Sequence, residues 1–392
     1  MTDRTFRRLY FFVLLGMALT LALFIGLSAF GATTTLAQGQ TIGSGIANAT
    51  PGDTLLVPAG LYREPLNLNK GITVQAQGVV TLSPVTAGTG TGLMVTASNA
   101  KVIGIAFVDW GTLGWHYGLG LANVTIKDCR FFRSGSMGID GTGWLVEGND
   151  FDRPLRGADN TVSLFGVGHT FRRNYFHGWV FPDDAQGFIH MDHIQFWNNN
   201  GEILKDILVE ENIFTDYTQG MILANETATA DPAKVPQNIT VRNNVFWGTD
   251  MVPGPNNLNR PSWGVFLGKG PMSNIRVTNN VFRFNANHIG TRGPWTNFVQ
   301  GNIITEGGAN YTVEDGGTVN RGTGNVNWGW SWQMVVPTAP DLDINPQYAN
   351  VNSLLGADGV PWTADDGWRP TAPMALGYGP QTAVLPGPGP AP

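Results

Sequence analysis

One short phrase recurs along this chain and constrains it more than any other feature. It reads Asn123-Val-Thr-Ile-Lys-Asp-Cys-Arg-Phe131, then Gly143-Trp-Leu-Val-Glu-Gly-Asn-Asp-Phe151, then Gly168-His-Thr-Phe-Arg-Arg-Asn-Tyr-Phe176. It returns as Asp206-Ile-Leu-Val-Glu-Glu-Asn-Ile-Phe214, Asn238-Ile-Thr-Val-Arg-Asn-Asn-Val-Phe246 and Asn274-Ile-Arg-Val-Thr-Asn-Asn-Val-Phe282, with a shortened copy at Asn297-Phe-Val-Gln-Gly-Asn-Ile-Ile304. Each copy alternates apolar residues as a strand does, turns at a polar corner, and points an aromatic or aliphatic residue back inward. The corner slot holds Asn149, Asn174, Asn212, Asn244, Asn280 and Asn302, with Cys129 and Ile105 in earlier copies. Asn suits such a corner in two ways. It tolerates the left-handed backbone region better than any residue but Gly, and its amide can bond to its counterpart in the next copy.

A strand-and-corner unit of this length cannot bury its own apolar face. Stacked copies can, each adding one strand spacing along an axis. The expected fold is all-β: a single-stranded right-handed parallel β-helix about nine coils and ~40 Å long, with an N-terminal cap helix and an irregular C-terminal cap. The helix is expected at Ile42 to Ala47 and the sheet from Thr54 to Val57, after a turn at Pro51-Gly-Asp53. The repeat fades near Val336, so the expected division is 1–37 leader, 38–335 solenoid, 336–384 C-terminal cap and 385–392 Pro/Gly tail. Asp358, Asp365 and Asp366 lie in that C-terminal part as a polar turn or as a calcium loop.

Arg4, Arg7 and Arg8 precede an apolar run from Leu9 to Phe30, and Thr35-Leu-Ala37 offers a small-x-small cut. That is an export signal, cleaved or retained as an anchor, and it places the body in a secreted, cell-surface or periplasmic setting with membrane contact only through this segment. The net charge is −6, and the leader carries +2 of it, leaving −8 on the rest. Such a balance argues against nucleic acid as the main partner and leaves room for an acidic polysaccharide or other glycan held by a local basic patch or a metal. Cys129 is the single cysteine, so no internal disulfide forms.

Insertions in a solenoid go into loops on one side, and the longest intervals fall between residues 175 and 280. Two later coils align without a gap at an offset of 23: Gly264-Val-Phe-Leu-Gly-Lys-Gly-Pro over Asn287-His-Ile-Gly-Thr-Arg-Gly-Pro. On that alignment Lys269 sits over Arg292, Phe266 and Ile289 point inward, and Val265 and His288 point outward. Extended backwards, the outward columns read Trp197, Asn225, Lys269, Arg292 and His193, Met221, Val265, His288, with Gln195 in a third. Asp183, Asp184, His190 and Asp192 precede them, and Glu226 follows Asn225.

A surface of this kind suits a sugar polymer. Trp197 can stack on a sugar ring, while Gln195, Asn225, His190 and Asp192 can bond hydroxyls. A uronate polymer adds β-elimination, in which the proton beside the carboxylate is removed once that carboxylate is neutralised. A Lys beside an Arg has a lowered pKa, which makes Lys269 the base and Arg292 the acid or carboxylate clamp, with His193 and His288 as further catalytic candidates. The bland readings are a solvated Lys/Arg corner and histidines satisfied inside a loop.

The opening at residues 41–62 resembles that of pectate-lyase-like β-helix proteins. At Phe-Leu-Gly-Lys269 and Gly-Thr-Arg292-Gly the chain resembles the alginate lyase and chondroitinase-B group of polysaccharide lyases. That resemblance implies a Lys and Arg one coil apart, with calcium neutralising the uronate. Where the group carries acidic calcium ligands, this chain has Ser262 and Gly264, so Asp183, Asp184, Asp192 or Glu226 would have to serve. His190-Met-Asp-His-Ile-Gln-Phe-Trp197 is also similar to a phrase of bacterial β-helix proteins of undefined activity, and more distantly to the paired-Asp strand of polygalacturonases. There Gln195 replaces the second carboxylate that hydrolysis wants. The expected function is therefore a lyase-like protein cleaving or epimerising a uronate polymer. The alternatives are a non-catalytic glycan-binding or adhesin-like surface protein, and a glycoside hydrolase.

Overall fold

A computed structural model describes residues 31–155, 160–179, 192–197, 203–217, 219–223, 234–248, 263–268, 272–283, 285, 287–292, 296–307, 309–314, 318–322, 324–329 and 340–380. Its strands pair in parallel from coil to coil, as in Leu145–Glu147 on Thr170–Arg172 and Val245–Trp247 on Val281–Arg283. The chain is a right-handed parallel β-helix, the hand that a right-twisted strand and its crossover favour.

Successive coils build three faces. The first carries Leu145–Glu147, Thr170–Arg172, Leu204–Glu210, Gln237–Arg242, Ser273–Thr278 and Thr296–Gln300. The second follows the Asn corner with Asp150–Asp152, Tyr175–His177, Ile213–Thr215, Val245–Trp247, Val281–Arg283 and Ile303–Thr305. The third carries Met137–Ile139, Asn160–Leu164, Asp192–Phe196, Gln219–Leu223, Trp263–Leu267, Asn287–Arg292 and Ala309–Glu314.

The interior is two ladders. Phe107, Phe131, Phe151, Phe176, Phe214, Phe246 and Phe282 stack with ring centroids 4.5–5.3 Å apart. Beside them the corner amides chain together: Asn149 Nδ2 donates to Asn174 Oδ1 at 2.9 Å, and the same bond repeats through Asn212, Asn244, Asn280, Asn302 and Asn325. Asp341 ends the series by accepting from the Asn325 backbone at 2.9 Å. These asparagines are buried, and the left-handed φ sits one residue earlier, at Gly148, Arg173, Glu211, Asn243, Asn279, Gly301 and Gly324. The corner Asn is therefore kept for its amide, not for its backbone tolerance. An apolar residue there would leave buried N–H and C=O groups unpaired.

The N-terminal helix spans Ile42–Asn48, with the Thr41 hydroxyl accepting from Ser44 N and Ile42 and Ile46 buried over the open end. Ahead of it, Thr33–Thr35 pairs in parallel with Thr54–Leu56, and Leu36 is buried in the core. The boundary expected at residue 37 falls two residues after this strand. The C-terminal part does more than close an end. Leu342–Asp343 adds one more parallel strand, and then Tyr348, Leu354, Leu355, Trp362, Trp368, Ala375 and Tyr378 pack on Ile213, Val245, Val281, Ile303 and Val326. The segment lies along the outside of the second face and forms a second apolar core. Asp365 Oδ2 accepts from the backbone of Ala357 at 2.6 Å, and the Thr363 hydroxyl donates to Asp365 Oδ1 at 2.7 Å; that is how a polar turn is held.

Candidate functional site

The third face was expected to carry the chemistry, and its register differs from the gap-free alignment. Val265 pairs with Ile289, Phe266 with Gly290 and Leu267 with Thr291, an offset of 24 in place of 23. Upstream, Ile194 pairs with Met221 and Gln195 with Ile222. Val265, Met221, Ile194 and Ile289 are therefore core residues, where two of them were expected outside, and Phe266 lies on the outer side. The reason is energetic. A one-residue slip exchanges the two faces of a strand, and buried aliphatic area outweighs a match between turn residues. Continued by one residue, this register sets Gly268 across from Arg292, in place of the Lys269 that the gap-free alignment put there.

Arg292 is the last residue of Asn287–Arg292, in register with Glu314, and its side chain lies outside the described residues. Lys269, Asn225, Glu226, His190, Asp183 and Asp184 also lie outside them. Asp192 is fully buried, in register with Asn160 and Gln219, and Gln195 is buried beside Ser163. Trp197 follows the strand with its indole N–H buried, and its backbone N–H donates to Leu164 O at 2.9 Å.

His193 and His288 are buried, in place of the outward positions the alignment assigned them. His193 Nε2 donates to the Thr215 carbonyl at 2.7 Å, which leaves Nδ1 to accept from the Thr161 hydroxyl at 3.3 Å. Packed against Phe176, Phe214 and Tyr217, its imidazole is held neutral, down at about 4, by burial. His288 Nδ1 accepts from the Asn285 amide at 3.3 Å, and burial pushes it down to about 3. Neither ring reaches the surface, so neither is positioned as a surface base.

What the sequence reading missed on this face is aromatic. Trp115, 49 % exposed, lies on Gly138 of the next coil; a Cβ there would fall 2.7 Å from indole Cδ2. Tyr117, 42 % exposed, joins it, and both rings rest on Phe165 at 5.8 and 5.0 Å. Near the other end, Trp263 and Phe266 pack at 4.9 Å over Gly290, where a Cβ would enter the indole. Gly138 and Gly290 occupy the same outer column, five strand spacings apart or ~24 Å. The signal in the sequence was a tryptophan one coil ahead of a strand glycine, a pairing visible only once the register is known.

On the second face, Asp150, Asp152 and His177 each offer one ligand atom within 4.8 Å of the others, so a possible metal-binding triad exists there. The first face is occupied by charges paired along the axis: Lys127 with Glu147 at 3.7 Å, Arg172 with Glu147 at 3.1 Å, and Arg242 with Glu210 at 2.7 Å.

No protein-family model matches the chain, and no curated protein matches it. Solved structures do. The PL6 family polysaccharide lyase Pedsa3628 from Pseudopedobacter saltans is 13 % identical with a TM-score of 0.48, over 91 % of this chain and 97 % of that one. Pectate lyase Pel9A is 14 % identical with a TM-score of 0.40, over 88 % and 89 %. The PL6 family alginate lyase AlyGC is 16 % identical with a TM-score of 0.41, over 91 % of this chain but only 57 % of its own length. At such identities the likeness is one of fold and says nothing of activity.

Proposed function

We propose that this protein binds a linear acidic polysaccharide along its third face and acts on it as a uronate lyase or epimerase. The observation that carries the proposal is the pair of aromatic platforms, Trp115 with Tyr117 and Trp263 with Phe266, on one outer column ~24 Å apart. The half-exposed Trp115 indole and the partly buried Trp263 indole, each seated on a glycine, present apolar faces at fixed spacing, which suits two sugar rings several residues apart on one extended chain. An export signal would place this surface where such polymers occur.

The chemistry follows from Lys269 and Arg292. Arg292 closes the strand Asn287–Arg292 of the third face, and Lys269 follows Trp263–Leu267 two residues on in the sequence, outside the described residues. Arg292 would neutralise the uronate carboxylate, and Lys269, beside that cation, would take the proton from the adjacent carbon. Calcium held by Asp183, Asp184 or Glu226 belongs to the same proposal. The buried His193 and His288 take no part.

The test is absorbance at the unsaturated-uronate band with alginate, pectate and glycosaminoglycans, run beside a polymer-retention assay. Rising absorbance that is lost in Lys269→Ala supports the lyase. Retention without it leaves the non-catalytic glycan-binding reading. No retention on any acidic polymer overturns the proposal.

A further inference from the structure

The second face carries a polar cluster that the proposed glycan chemistry does not use. Asp150 and Asp152 flank the inward Phe151, and His177 lies across from Asp152 in the next coil. His177 Nε2 donates to Asp150 Oδ1 at 2.7 Å, and its ring stacks on Tyr175 at 3.9 Å and 10°. Ring orientation is thereby set, with Nδ1 on the side away from Asp150. That atom faces Asp152 Oδ1 at 3.8 Å.

At that distance no hydrogen bond joins the two atoms. Asp152 is 5 % exposed, and its Oδ1 is buried without a hydrogen-bond partner. The cations nearby are engaged elsewhere. Arg130 Nη2 donates to the other oxygen, Asp152 Oδ2, at 2.8 Å, and its Nε pairs with Asp150 Oδ2 at 3.3 Å. Arg153 Nε approaches Oδ1 only as an ion pair, at 3.4 Å, from a side chain 59 % exposed. Gly178, at φ +77°, keeps the space beside Oδ1 open; a Cβ there would fall 2.7 Å from it. The 3.8 Å gap is too long for a hydrogen bond and matches two metal–ligand bonds of ~2.1 Å meeting at one ion.

We infer that Asp152 Oδ1 and His177 Nδ1 bind a divalent transition-metal ion, with Asp150 orienting the imidazole and water completing the coordination. An imidazole nitrogen beside a carboxylate selects zinc or manganese over calcium. A carboxylate on the far ring nitrogen is the arrangement that raises a ligating histidine's basicity. The site lies on a different face from the aromatic platforms and does not rest on the glycan proposal.

The experiment is titration of the full chain, stripped with chelator, with zinc by calorimetry, together with thermal melts with and without the ion. One saturable site per chain is expected, with a zinc-dependent rise in melting temperature. Asp152→Asn and His177→Gln should each weaken binding at least about tenfold, and Asp150→Asn by about tenfold without abolishing it. A Trp115→Ala, Trp263→Ala double variant should bind zinc normally. Absence of saturable binding, or an unchanged affinity in both Asp152→Asn and His177→Gln, would overturn the inference and leave an ion-pair cluster only. His177→Gln keeps the test open if Asp152→Asn does not fold.

Discussion

Asn244 Nδ2 donates to Asn280 Oδ1 at 3.0 Å, and Asn244 Oδ1 in turn accepts from both the amide and the backbone N–H of Asn212 at 2.9 Å. The same side chain also donates to Val209 O at 2.9 Å. Asn244→Ala would strip partners from buried groups in three coils at once. The expected loss is about 3–5 kcal/mol, read as a lowered melting temperature, and Asn244→Asp should also destabilise because a carboxylate cannot donate.

Trp115 and Trp263 rest on Gly138 and Gly290 without filling the core. Replacing either with Ala should weaken retention on an acidic polymer by about 2- to 10-fold, with little change in melting temperature for Trp115→Ala. Affinity electrophoresis in polymer-containing gels measures this directly. Equal mobility of all variants would remove the platforms from the binding site.

Asp366 is fully buried, with Arg369 Nη2 no closer than 3.8 Å, and burial raises its carboxyl to about 7 from an ordinary 3.8. The folded protein holds this proton where the unfolded chain releases it. Its contribution is therefore fully present below pH 4 and is lost as pH rises through 7. Melting temperature should fall between pH 4 and 7, and Asp366→Asn should flatten that fall, gaining on the order of 2 kcal/mol at pH 8. A melting curve unaffected by the substitution would mean the carboxyl is hydrated or paired.

The stripe of Ile213, Val245, Val281, Ile303 and Val326 is covered by the C-terminal segment through Trp362, Trp368 and Tyr378. Truncation before residue 340 should expose it and also remove Asp341 from the end of the asparagine ladder. The expected outcome is dye binding at the exposed apolar face and self-association by light scattering. A soluble monomer of unchanged melting temperature would show that the segment is dispensable.

The fold was legible because its determinants are local. Each copy states its own inward residues, and Phe151, Phe176, Phe214, Phe246 and Phe282 fall into one stack whatever lies between them. The outer columns were not legible. Between Trp263–Leu267 and Asn287–Arg292 a single residue decides whether Val265 or Phe266 faces out, and the similarity of two turns pointed to the wrong one. His193 and His288 precede the correctly placed Ile194 and Ile289, yet both are buried because aromatic rings, Phe176, Phe214 and Tyr217 for one and Phe282 for the other, pack against them.

Taken alone, the amino-acid order determined a stacked-coil solenoid, an amide-lined corner and a helix over its first coil, since periodicity and hydrogen-bonding capacity are properties of single segments. Only the tertiary structure decided which side chains meet across coils: Trp115 on Gly138, His177 facing Asp152, and a C-terminal segment laid along the second face. Those contacts join residues about twenty to more than a hundred positions apart. Their partners are set by the sum of buried area over the whole stack, which no local stretch contains.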